Sequence, residues 1–180
     1  MKKAVLLVLI LISGAALAEV GWKDRDGNPV PDSDSQKSIE GFGGLLVVTP
    51  DEDWEEKWNT PTEGAEFSHT SAVARGGKLF ILTMFTNPQV DDAGAAHVTM
   101  NIDIKRPDGS SSMHTEGAVC AQGEFSGPPH NVYLCGPVIG FVGEPSDPAG
   151  TWSVQITLID MNRKVSMPLA THFELRQDEH

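Results

Sequence analysis

Cys120 and Cys135 are the residues of this chain most open to covalent chemistry, and they are its only cysteines. An even count in an oxidising compartment predicts one disulfide between them. Closing a loop of that size stabilises a fold by about 3 kcal/mol in the chain-entropy description. A zinc site built on the same thiols would need third and fourth ligands at zinc spacing, and none follows. Six histidines occur, His69, His97, His114, His130, His172 and His180, together with Met84, Met100, Met113, Met161 and Met167. Imidazole and thioether ligands suit copper, but Met100 and Met167 fall on the apolar faces of alternating segments, where methionine fills core, while His97 and His172 fall on the polar faces. Met113 and His114 are adjacent, and adjacent residues on a strand point apart. No metal and no other cofactor is assigned on this pattern.

Other chemistries fail on spacing. Asp24-Arg25-Asp26-Gly27-Asn28 opens like a calcium loop, but Pro29 stands where the loop needs glycine and Ser35 where it needs a bidentate glutamate. No G-x-S-x-G, no H-E-x-x-H and no phosphate-cradling glycine loop is present. Asp51, Glu52, Asp53, Glu55 and Glu56 could be offered as acid/base pairs, yet they crowd a short segment that reads as the solvated face of a helix. Trp54 and Trp58, four apart, share one face of that helix. That face either packs on the body of the protein or is presented to a partner, in which case these two rings are the candidate binding hot spot. The chain therefore reads as non-enzymatic, with no catalytic residue assigned.

The elements that must position these residues begin after an export signal. Lys2 and Lys3, an apolar run from Ala4 to Ile12, and Ala16-Leu17-Ala18 have the form of a signal peptide over residues 1–18, cut before Glu19. The run is shorter than the roughly 20 residues that a membrane-spanning helix needs, so a periplasmic or secreted protein without a membrane span is expected. Without Lys2 and Lys3 the formal charge moves from −12 to −14, an acidity that repels nucleic acid and anionic headgroups and favours solubility or a basic partner. Residues 19–44, rich in Gly, Pro, Asp and Ser, read as an extended N-terminal arm. The remainder, 45–180, is the length of one domain.

Within it, Thr49-Pro50-Asp51-Glu52 resembles a capping box with proline at the first helical position, and this predicts the one helix. Leu79 to Thr86 is apolar on both faces, as a central strand would be. Alternation is clearest at Val98, Met100, Ile102 and Ile104, at Trp152, Val154, Ile156 and Leu158, and from Val165 to Leu175. The link Asp160-Met161-Asn162-Arg163 closes a terminal hairpin. About seven strands with little helix predict an antiparallel sandwich.

Arg106-Pro107-Asp108-Gly109 and Asp147-Pro148-Ala149-Gly150-Thr151-Trp152 resemble the closing turns and strands of immunoglobulin-like domains in exported bacterial proteins. The mature chain is also similar to a group of small exported proteins of Gram-negative bacteria for which no activity is characterised. The resemblance implies an immunoglobulin-like β-sandwich and nothing about chemistry. The two cysteines stand too close in sequence for the usual bridge between sheets. The expected role is an envelope binding module with a protein partner. An acidic inhibitor of a cationic hydrolase or toxin, and a copper- or zinc-binding envelope protein, stand as alternatives.

Overall fold

The computed structural model describes residue 22 and residues 28–60, 65–128 and 130–177; the signal peptide and Asp24 to Gly27 of the calcium-like segment lie outside them. Ten strands and one short helix follow in the order β1 (Gln36–Ile39), β2 (Phe42–Thr49), α1 (Trp54–Asn59), β3 (Ala72–Val73), β4 (Lys78–Thr86), β5 (Ala95–Lys105), β6 (Ser111–Glu124), β7 (Val132–Leu134), β8 (Ile139–Val142), β9 (Gly150–Asp160) and β10 (Val165–Leu175). They form two five-stranded sheets. The first runs β1-β2-β4-β7 with β8 also on β4, and the second runs β3-β10-β9-β5-β6. All pairings are antiparallel except the short one between β3 and β10. This is the all-β sandwich that the alternating segments and the immunoglobulin-like resemblance lead one to expect, with ten strands in place of about seven.

The alternation places the core. Trp152, Val154, Ile156 and Leu158 of β9 and Val98 and Met100 of β5 are buried to within 1%, and they face Phe42, Leu46, Leu79, Ile81 and Phe85 of the first sheet. Strand β4 is buried on both faces as expected, because Leu82 and Met84 pack outward with Val47 in a second apolar layer. The D-P-x-G-x-W turn is explained locally. Asp147 accepts from the Glu144 N–H at 3.0 Å, Trp152 donates its indole N–H to the Pro148 carbonyl at 3.1 Å, and Gly150 takes φ +124°, which glycine tolerates best.

Three sequence expectations need correction. Residues 36–44 are not part of an arm. They form the β1–β2 hairpin, turned at Glu40 and Gly41 with φ of 51° and 83°. Glycine is what lets this strand pack: a Cβ on Gly44 would lie 2.5 Å from Met167 Cε, and one on Gly43 2.5 Å from Thr86 Cγ2 and 3.2 Å from the Trp22 ring. Trp22 is itself docked, its indole N–H donating to the Lys37 carbonyl at 2.9 Å. The helix starts later than the capping box predicts. Thr49 is fully buried at the end of β2, its hydroxyl accepts from the Asp51 N–H at 3.1 Å, and Glu52 reaches out to Lys78 at 2.7 Å, so the helix begins at Trp54. Finally, Cys120 on β6 is bonded to Cys135, just after β7. Proximity in sequence did not prevent a bridge between sheets, since β6 is an edge of one sheet and β7 an edge of the other.

Candidate binding groove

The outer face of the first sheet carries an apolar cluster, Val47, Leu82 and Met84 with Leu45, Phe80 and Leu134 packed against them, where a solvated sheet face would be polar. It is covered at two places. At one end Trp22 lies over Gly43. At the other, α1 lays Trp54 against Phe80, ring centroids 6.1 Å apart. Between them is an open groove of about 1030 Å³. Its floor is Leu45 and Val47 of β2, Met84 of β4 and Val132 of β7, and Trp58 and Phe67 wall it. Gln36, Glu66, His69, His130 and Asn131 form the polar rim.

Register shows how the floor is assembled. Gln36 pairs with Leu45, Leu45 with Met84, and Thr86 with Val132, so the groove, from its rim on β1 across its floor on β2, β4 and β7, crosses four neighbouring strands. At about 4.8 Å between strands the crossing is about 14 Å long.

The wall is fastened electrostatically. Asp51 accepts from Lys57 Nζ at 2.8 Å and from the Ser68 N–H at 2.8 Å, which ties α1 to the segment carrying Phe67 and His69. The Lys57 ammonium and then the Ser68 N–H hold the Asp51 carboxyl well below the usual carboxylate range, and Lys57 is raised by the same pair. Lys57 also reaches Asp53 at 3.1 Å. The cations of this end are thus engaged, while Glu55 and Glu56 on the exposed side of α1 have no ion-pair partner among the described residues.

The two predicted hot-spot rings divide their roles: Trp54 is a packing residue and Trp58 is half-buried in the groove. Of the histidine and methionine set, the groove gathers His69, His130 and Met84. Met100 and Met167 are core. Among the described residues no group of three His, Cys, Asp or Glu side chains is arranged to hold a metal ion. On the other sheet His114 Nδ1 lies 2.6 Å from Asp103 and its Nε2 3.6 Å from Glu116. Asp103 first, then Glu116, raises its pKa. No hydroxyl or thiol among the described residues bonds to this imidazole. The acidic residues of α1 do not converge on a cleft.

No family model and no curated protein matches this chain. Solved structures give distant likenesses: a family 123 glycoside hydrolase from Clostridium perfringens (TM-score 0.40, 10% identity, 75% of this chain, 28% of that one); the alkylpurine DNA glycosylase AlkC of Pseudomonas fluorescens (TM-score 0.34, 15% identity, 73% and 29%); and a Niemann-Pick type C2 protein from Japanese carpenter ant (TM-score 0.31, 9% identity, 74% and 89%). The chain spans less than a third of the first two, and likeness at this level assigns it no function.

The groove was only partly visible beforehand. The sequence singles out Trp58, Met84 and the histidines, whereas Leu45, Val47 and Val132 carry no local signal of a site. The available signal was the doubly apolar β4, whose outer face requires a cover that one six-residue helix is too short to supply.

Proposed function

We propose that this chain is an exported, periplasmic, non-enzymatic binding module, and that the groove on the outer face of its first sheet is where a protein partner seats. The observation that carries this reading is the concave apolar surface that the described residues leave open on that face, floored by Leu45, Val47, Met84 and Val132 and walled by Trp58. Concave, mostly apolar sites with a few polar groups at the rim are the usual form of ligand sites, and a half-buried tryptophan is a common binding anchor. The disulfide suits an oxidising compartment. No helix among the described residues is long and apolar enough to cross a membrane.

The test is capture from the envelope fraction of the native host on immobilised protein with its disulfide intact, comparing wild type with Val132→Lys. Val132 is 40% exposed, so the substitution leaves the core alone and places a charge on the groove floor. A partner retained by wild type and lost from Val132→Lys is expected. Equal capture by both, or no capture by either, overturns the assignment of the groove.

A further inference from the structure

We infer that the groove takes a short, extended, cationic segment of its partner, anchored by apolar side chains; the inference rests on the binding role assigned to the groove above. Three observations converge on it. The first is length. A groove crossing four strands from rim to floor measures about 14 Å, which an extended chain covers in four or five residues at about 3.3 Å each.

The second is the chemistry of the surfaces. Leu45, Val47, Met84 and Val132 below, with Trp58 and Phe67 beside them, accept every second side chain of an extended segment, because alternate residues point to opposite sides. Gln36 and Asn131 at the rim offer amide donors and acceptors to the backbone that such a segment presents.

The third is charge. Lys57 and Lys78, the lysines at this end of the molecule, are held by Asp51, Asp53 and Glu52, so they present no free positive charge to a ligand. Glu55 and Glu56 are exposed on α1, the helix that also carries Trp58, and the whole chain is strongly acidic, at −12 for the full sequence. A cationic segment gains from this field both in encounter rate and in orientation, whereas an anionic one is repelled.

The experiment uses the protein recovered from an export-competent host, with three fluorescent octapeptides as probes: one alternating lysine with leucine, one alternating glutamate with leucine, and one alternating lysine with serine. Fluorescence anisotropy at low salt should show the lysine–leucine peptide binding about tenfold or more tightly than either of the others, with affinity falling as salt rises toward about 0.5 M. Val132→Lys and Glu55→Gln/Glu56→Gln should each weaken that binding. Val119→Lys, at a valine 48% exposed on the other sheet, should leave it unchanged. Equal binding of the glutamate and lysine peptides, or equal effects of Val132→Lys and Val119→Lys, overturns the inference. If the envelope partner is captured through Val132 while no peptide shows the preference, the ligand class is wrong and the binding role stands. Failure of both experiments removes both.

Discussion

Asp160 shows how much a single side chain can organise. It is fully buried at the end of β9, and its carboxylate accepts from the backbone N–H groups of Gln89 at 2.8 Å, Asn162 at 3.1 Å and Arg163 at 2.9 Å. Arg163, 3.5 Å from the same carboxylate, donates to the carbonyls of Glu40 at 2.7 Å and Asn87 at 3.0 Å. One acid and one base thereby join the β9–β10 turn to the β1–β2 turn and to the chain leaving β4. Removing a partner from a buried charged network typically costs about 3 to 5 kcal/mol, so Asp160→Ala should lose stability on that scale, read from the denaturant midpoint at unchanged slope. In sequence Asp160 reads as an ordinary turn former, since nothing local shows that Gln89 comes to meet it or that Glu40 comes to meet Arg163.

His114 gives a smaller effect. Its raised pKa comes from Asp103, so its pairing stabilises the fold at low pH and is lost as pH rises through the raised value. In Asp103→Asn the His114 titration followed by NMR should move down toward the ordinary histidine value.

At the scale of elements, α1 is held to the body by packing on one side and by Asp51 on the other. A carboxyl depressed in the folded state contributes stability above its unfolded value of about 3.9 and loses it as pH falls below that. The wall of the groove should therefore loosen in acid. Asp51→Asn should be less stable than wild type near neutrality, and the two should converge in unfolding midpoint as pH falls below about 4. Equal spacing between them at every pH would show that Lys57 and Ser68 do not depend on the charge. The short helix itself was legible from its turn formers and acidic residues, but its start was not. The capping pattern competes with the strand pairing of Thr49 opposite Phe80, and a buried strand end wins over a local cap worth about 1 kcal/mol.

For the whole molecule, the disulfide and the two aromatic groups lock the sandwich at its margins. Phe125, Tyr133 and Phe85 close one margin, with Phe125 and Tyr133 rings 4.4 Å apart. Phe141, Trp152 and Phe173 fill another region of the core, with Phe141 4.6 Å from Phe173. Cys120 to Cys135 ties β6 to the end of β7, and the Gly136 N–H donates to the Cys120 carbonyl at 2.9 Å beside it. Reduction, or the double substitution Cys120→Ser/Cys135→Ser, should cost about 3 kcal/mol by the loop-closure relation, read as a lowered unfolding midpoint, while β-sheet content by circular dichroism persists.

Which way each strand faces is written in the residue order: alternation at Val98 to Ile104, Trp152 to Leu158 and Val165 to Leu175 marks the buried side, because side chains on a strand alternate with a period of two whatever lies beside it. The cysteine pair and helix α1 were legible for similar local reasons. Which strands are neighbours is settled by how the whole chain folds. The groove depends on Gln36, Leu45, Met84 and Val132 coming together from neighbouring strands, and strand order is set by long-range pairing energies that no local pattern of residues expresses.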